Sequence, residues 1–213
     1  MSIWTFNRRL LLLAGLALAG CEQTGEFGFL ASGAQPASSN ALRAVSMLDG
    51  NVVLAAPAGY CIDKGSLRSA FALIARCDTL GSGRKAAGKP LVLITAALVP
   101  QGVDATAPKS QDLATVFEAE NVLQAVDRKG VALVQTNSAT GLDGMSKQHW
   151  RGAFEVNGVL VGLALYAPEG SDAVGKSGAT ILTALADRTR AQSRTRVAAT
   201  NTSQTPATPG NTD

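Results

Sequence analysis

Residues 149–166 read HWRGAFEVNGVLVGLALY, and this segment determines the architecture more than any other. Two apolar runs flank Asn157-Gly158, a dipeptide that accepts positive φ at both central positions of a tight turn. The segment therefore predicts a β-hairpin. One face of this hairpin is expected to lie in the core, because it pairs large apolar residues across the two strands: Trp150, Phe154 and Val156 with Leu165, Val161 and Val159.

Shorter apolar runs predict further strands. Asp49-Gly50 lies between two such runs and predicts another hairpin with a two-residue turn. Leu91–Val99 is apolar except at Thr95 and too short for a typical helix, so we expect a central strand buried on both faces. Ser66–Cys77 fits one face of a helix or of a strand equally well. We favour a short turn followed by a strand from Ala70.

Two segments have helical spacing. The pattern predicts a helix over 111–126 that ends at Arg128-Lys129-Gly130 and leads into a strand at 131–136. A second helix is predicted over 173–190, with Ser171 or Asp172 as its cap. Gly175 and Gly178 are small enough to let this helix lie close to a sheet.

Strands joined by hairpins, together with two amphipathic helices, indicate an α+β domain with a mainly antiparallel sheet and both helices packed against it. The element order, with the Asn157-Gly158 hairpin followed by a closing helix, resembles the PsbP-like fold of small exported or lipoprotein domains. The resemblance concerns the fold and implies no activity.

The first twenty residues have the three parts of an export signal: Arg8 and Arg9, the apolar run Leu10–Ala19, and small residues before Cys21. An apolar run of this length is far below the ~20 residues that span a bilayer as a helix. Leu18-Ala19-Gly20-Cys21 resembles the lipobox of bacterial lipoprotein precursors, which implies cleavage before Cys21 and a lipid on its thiol. Ordinary secretory cleavage near Ala19 is the alternative, and Asn7–Leu12 leaves twin-arginine export open.

These segments predict a signal peptide at 1–20, a tether at 21–40, one globular domain at 41–196 and a disordered tail at 197–213. By the same resemblance, Glu22 rather than an aspartate after the lipidated cysteine slightly favours the outer membrane over the inner. The formal charge of +3 falls to +1 once Arg8 and Arg9 leave with the leader. Neither this charge nor export suits a nucleic-acid partner.

Three cysteines are present, and with Cys21 assigned to lipid, Cys61 and Cys77 remain as a pair. In an oxidising compartment we expect a disulfide between them, and two separate buried thiols are the alternative.

One nucleotide-binding pattern matches in full. Gly170, Gly175, Lys176 and Ser177 satisfy G-x-x-x-x-G-K-S between a strand and a helix. In such a loop, backbone amides wrap phosphates, the lysine meets the outer phosphates and the serine binds magnesium. Three features disfavour this interpretation: the preceding strand belongs to a hairpin, no later strand supplies an acidic magnesium ligand, and an exported protein meets essentially no ATP.

His149 is the only histidine, so a metal site or a histidine-based triad has one candidate residue. On the strand face opposite Trp150, Arg151 and Glu155 are expected to pair at the surface or to line a groove. We predict no metal and no cofactor. The leading hypothesis is a lipid-anchored envelope protein that binds or supports another envelope component without catalysis. The alternatives are a periplasmic hydrolase using His149 and nucleotide binding at Gly170–Ser177.

Overall fold

The computed structural model describes residues 40–83, 86, 88–102 and 106–203, and the side chains as far as Arg196. Cys21, the leader, most of the predicted tether and residues 204–213 lie outside these ranges. The described strands are β1 Ala41–Leu42, β2 Ala44–Met47, β3 Val52–Ala55, β4 Tyr60–Asp63, β5 Phe71–Arg76, β6 Leu93–Pro100, β7 Val122–Arg128, β8 Val131–Asn137, β9 Gln148–Val156 and β10 Val159–Tyr166. The helices are α1 Ser110–Val116 and α2 Lys176–Ser203.

Eight of these strands form one antiparallel sheet in the order β1-β4-β5-β6-β10-β9-β8-β7, and β2 and β3 form a separate hairpin. The long helix α2 packs against β3 and β9. The short helix α1 packs against β7 and β8. The predicted α+β class with a mainly antiparallel sheet is therefore confirmed.

The hairpin predicted around Asn157-Gly158 is present as β9 and β10, with the predicted register. Trp150 faces Leu165, Phe154 faces Val161, and Val156 faces Val159. Asn157 and Gly158 occupy the turn with φ values of 52° and 72°. All six paired side chains are at most 4% exposed, so this face lies in the core as predicted.

The hairpin around Asp49-Gly50 is also present, but its loop differs from the prediction. Met47 pairs with Val52, so the loop contains four residues instead of two. Leu48 and Asp49 have positive φ, 49° and 55°, and the loop closes through the bond from Asn51 N to Leu48 O. The loop is longer because Leu48 has a positive φ and Asn51 has helical backbone angles, so neither residue extends its strand.

Strand β6 is central, as predicted, but it is buried on one face only. Ile94, Ala96 and Leu98 lie in the core, whereas Ala97 and Val99 are exposed on the opposite face. The neighbouring strand β5 confirms the preferred interpretation of Ser66–Cys77, a turn followed by a strand. The expectation of burial on both faces was wrong because α1, on the side of the sheet away from α2, packs against β7, β8 and β9.

The predicted helix over 111–126 was wrong in its second half. Helix α1 ends at Val116, a 3-10 turn follows, and Asn121 leaves that turn in the left-handed region with a φ of 55°. Strand β7 then begins. Lys129 and Gly130, at φ values of 50° and 69°, form the tight turn that joins β7 to β8. A glycine that the pattern assigned to a helix end therefore closes a hairpin.

The closing helix was predicted correctly but ends later than expected. A 3-10 turn over Asp172–Val174, in which the Ser171 side chain accepts from Ala173 N, precedes α2. The helical backbone continues past Arg190 to Ser203, including residues 197–203 where the sequence predicted the start of the tail. None of the helices in the described ranges combines the length and the apolar character that crossing a bilayer requires.

Close approach of α2 to the sheet depends on Gly178. A Cβ built at this position would overlap the carbonyl oxygen of Ala173 and would lie 2.7 Å from Cδ1 of Trp150.

Helix α2 also completes the hydrogen bonds of β3, because the hydroxyls of Thr189 and Ser193 accept from Ala55 N at 3.1 Å and from Val53 N at 3.0 Å. The helix thus joins the separate hairpin to the main sheet.

Candidate functional site

His149 lies at the start of β9, on the sheet face opposite Trp150. Its side chain is 1% exposed, and its ring stacks on Tyr166 with the centroids 5.2 Å apart. Nδ1 is 2.9 Å from the carbonyl oxygen of Lys147. A carbonyl only accepts, so Nδ1 carries a hydrogen. Nε2 lies 3.0 Å from Thr136 Oγ1 and 3.3 Å from Glu120 Oε2.

Glu120 contacts both His149 and the nearby Arg151. Its carboxylate accepts from Arg151 through two bonds, Nε to Oε2 at 3.2 Å and Nη2 to Oε1 at 3.0 Å. Partial burial raises the pKa of Glu120, but the hydrogen bond and charge of Arg151, together with His149, outweigh it and hold the pKa below its ordinary value. Arg151 also donates to the Tyr166 hydroxyl at 2.9 Å and stands 5.3 Å from the Phe117 ring centroid.

This cluster lacks the geometry of a hydrolytic triad. In a triad, the nucleophile and the carboxylate contact different nitrogens of the histidine. Here Thr136 and Glu120 both approach Nε2, and the Lys147 carbonyl occupies Nδ1. Thr136, the hydroxyl within reach, is fully buried. The arrangement holds the 3-10 turn of Glu120 against the sheet and offers no exposed nucleophile.

The predicted surface pair of Arg151 with Glu155 does not form. Arg151 instead binds Glu120 and Tyr166, whereas Glu155 Oε1 accepts from Gly158 N at 2.7 Å in the adjacent turn. The two residues are separated because β9 carries them toward opposite ends of its outer face. In the described ranges, no three His, Cys, Asp or Glu side chains are grouped as a metal site would require.

The loop Gly170–Ser177 is arranged differently from a phosphate cradle. The amides of Ala173, Val174 and Gly175 already donate within the loop, to the Ser171 hydroxyl and to the Ser171 and Asp172 carbonyls. Nε1 of Trp150 binds two loop carbonyls, Val174 O at 3.1 Å and Gly175 O at 3.0 Å. The loop therefore presents carbonyl oxygens to the protein interior and has few free amides for an anion.

The two remaining members of the motif also lie apart from any such site. Lys176 is exposed at the first position of α2. Ser177 Oγ is buried without a hydrogen-bond partner among the described residues, so it does not face a solvent-accessible metal position. The preceding strand β10 pairs antiparallel with both β6 and β9. The sequence predicted this hairpin arrangement, which argues against a nucleotide-binding fold.

The disulfide expected from the cysteine count is present. Cys61 in β4 and Cys77 just after β5 are joined with an S–S distance of 2.05 Å, and both are 2% exposed. Arg43 lies against the bridge, with Nη1 3.4 Å from Cys77 Sγ and 3.1 Å from the carbonyl oxygen of Tyr60. The bond closes a separation of 16 residues and, by restricting the unfolded chain, stabilises the folded domain by roughly 3 kcal/mol in the chain-entropy model.

The sheet face away from α2 contains an apolar area across β5, β6 and β10, which we call the open strip. Its side chains range from half-buried to exposed, apart from the buried Ala164, and none is charged. Val99 is 49% exposed. The strip consists of Phe71, Leu73, Ala75, Leu93, Thr95, Ala97, Val99, Leu160, Gly162, Ala164 and Tyr166.

The chain was compared with known proteins. No family model matches it, and no curated protein matches it. A solved structure with some similarity is the solution structure of cyanobacterial PsbP (CyanoP) from Synechocystis sp. PCC 6803, at a TM-score of 0.39 and 13% identity. The match covers 79% of this chain and 96% of that chain. Similarity at this level supports no conclusion about what the protein does.

Sequence reasoning found His149 and Arg151 but missed Glu120, Phe117 and Thr136 as their partners. Glu120 was placed inside the helix predicted over 111–126. Asn121, a residue type that tolerates the left-handed region, is the sequence signal that could have ended that helix before β7. The open strip was missed for a related reason: an apolar strand pattern does not say what lies on each of its faces.

Proposed function

We propose that the protein is an exported lipoprotein, anchored in the bacterial envelope through a lipid on Cys21, whose domain is a non-catalytic binding module. The buried Cys61–Cys77 disulfide supports an oxidising compartment outside the cytoplasm. The lipobox at Leu18–Cys21 supports the anchor. Glu22 favours the outer membrane.

The open strip carries the binding role. The strip is an uncharged, partly exposed face on three adjacent strands, and the largest exposed apolar patch of a protein is often a functional surface. Neither site that could support catalysis has the necessary geometry: His149 lacks an exposed nucleophile, and the amides of the Gly170–Ser177 loop are occupied. The partner is expected to be another envelope component.

Cell fractionation and N-terminal mass analysis test the anchor. The native chain is expected in the membrane fraction, beginning at Cys21 and carrying the added mass of a lipid, and Cys21→Ser is expected to lose both. A density gradient then separates outer from inner membrane. A native chain that retains Met1 or carries an unmodified Cys21 would contradict the proposed anchor.

A further inference from the structure

The open strip departs from the usual pattern of a sheet face in water. An antiparallel sheet with one solvated face alternates core residues with polar ones. On β6 the buried Ile94, Ala96 and Leu98 alternate instead with the apolar Leu93, Ala97 and Val99 and with one uncharged polar residue, Thr95. The same substitution of apolar for polar residues occurs on β5 and β10. Three adjacent strands therefore have the composition of buried strands, but the residues that the structure describes cover only one of their faces.

We propose that the open strip is the docking site for a single amphipathic helix of a partner protein. This inference rests on the proposed binding role and names the surface and the kind of partner. The partner helix must present an apolar face to the strip, because no strip residue is charged. The nearest charges on β9 lie at the border of the strip, where Arg151 pairs with Ala164 and Glu155 pairs with Leu160.

The size of the strip favours a helix over a second copy of the chain. β6 and β10 pair over eight residues, so the strip is ~26 Å long at ~3.3 Å per residue and ~14 Å wide across three strands. This corresponds to a flat area of ~350 Å², so two copies that met through the strip alone would fall short of the ~800 Å² that each subunit buries in a stable dimer, and a partner helix held by the strip alone would bind weakly. A helix is ~10 Å in diameter and needs ~17 residues to span ~26 Å, so one helix fills the strip.

The shape of the strip surface also fits a helix. Its floor is made of small residues in register, Ala97 opposite Gly162 and Thr95 opposite Ala164. Large side chains surround this floor: Phe71 and Leu73 on β5, Val99 and Leu160 at one end, Leu93 and Tyr166 at the other. On the β9 side, Arg151 stands against Phe117 and closes the trough. Apolar side chains projecting from a helix can enter the floor between these walls.

The sheet already binds a helix in this way on its other face. Helix α2 lies over β9 with Gly178 against Trp150 and with Leu182 and Leu185 fully buried. A helix on the open strip would give β5, β6 and β10 a second covered face, next to α1 on the same side. The composition of these strands is that of a three-layer arrangement.

Photo-cross-linking in intact cells tests the proposal. A photoreactive phenylalanine analogue replaces Val99 in the full chain, with the same analogue at Thr195, exposed on α2, as the matched control. Adducts from position 99 are analysed by mass spectrometry for the cross-linked residue. We expect adducts on one partner segment with apolar residues at i, i+3, i+4 and i+7, and none of these from position 195. Ala97→Lys should abolish them.

The cross-linked segment is then synthesised, and its binding to the purified full chain is measured by fluorescence anisotropy. Ala97→Lys should weaken binding at least tenfold, whereas Ala191→Lys, the same change at an exposed position of α2, should alter it less than twofold. Adducts to another part of this chain (within one copy or between two), adducts to lipid, adducts to a non-helical segment, or no adduct would each overturn the proposal. Failure here with an intact lipid on Cys21 leaves the proposed anchor standing, so the two proposals fail separately.

Discussion

Gly178 on α2 provides the sharpest test of how the closing helix is packed. In an exposed helix, replacing glycine by alanine stabilises by roughly 1 kcal/mol, because alanine has the higher helix propensity. At position 178 we expect the opposite sign. The added Cβ would overlap the carbonyl oxygen of Ala173 and approach Nε1 of Trp150 to 2.9 Å, and Trp150 is fully buried.

The magnitude follows from what must move. Overpacking a core position typically costs about 1–3 kcal/mol. Shifting the indole also weakens its bonds to the carbonyls of Val174 and Gly175, at about 1 kcal/mol for a typical hydrogen bond. After subtracting the propensity gain, we expect Gly178→Ala to lower the free energy of unfolding by about 2 kcal/mol.

Urea unfolding followed by tryptophan fluorescence measures this change, because Trp150 is the sole tryptophan once the leader with Trp4 is absent. Gly175→Ala is the matched control. A Cβ at Gly175 would come no closer than 3.7 Å to the Asp172 carbonyl oxygen, so its effect should be within about 0.5 kcal/mol. A Gly178→Ala variant as stable as the wild type would refute the close packing of α2 on Trp150.

Three further predictions address the remaining sites. The pKa of Glu120 lies below its ordinary value, so the ionised carboxylate stabilises the fold above the usual titration range of glutamate, and this stabilisation is lost as the pH falls through the depressed pKa. Glu120→Gln should lower the free energy of unfolding by about 1–2 kcal/mol at pH 7 and should remove this acid dependence. Urea unfolding from pH 7 to 3 measures both effects. Equal pH profiles for both proteins would count against the Arg151 contact. Cys61→Ser with Cys77→Ser should lower the free energy of unfolding by roughly 3 kcal/mol, and alkylation of native protein without reductant should label neither thiol. Calorimetry with MgATP should give no binding heat for the wild type, and saturable binding lost in Lys176→Ala would reopen the nucleotide interpretation.

Local turn chemistry accounts for what the sequence predicted well. Asn157-Gly158 specifies a tight turn within two residues, and the alternation on either side then sets the register of β9 and β10. The same signal failed at Lys129-Gly130, because a glycine after basic residues also ends helices, and the local pattern of 111–126 did not distinguish the two.

The contacts of His149 depend on residues that are distant in the chain. Glu120 reaches Arg151 across 31 positions, and it does so only because a 3-10 turn places it above β9. No spacing rule connects the two residues in the sequence. A cluster of this kind can be predicted only after the sheet order is known, since β7 and β8 bring the turn to β9.

Ala96 and Ala97 show the difference between the core face of β6 and the open strip. The two residues are identical and adjacent on β6, yet Ala96 is fully buried and Ala97 is exposed. Apolar character at position 96 is required by the core, because an unpaired polar group there would be desolvated. Nothing in the described domain makes the same demand at position 97, where a polar residue would keep the strand and improve solubility. The packing of the described residues therefore does not account for the apolar character of position 97, and this observation supports the proposal that a partner covers the strip.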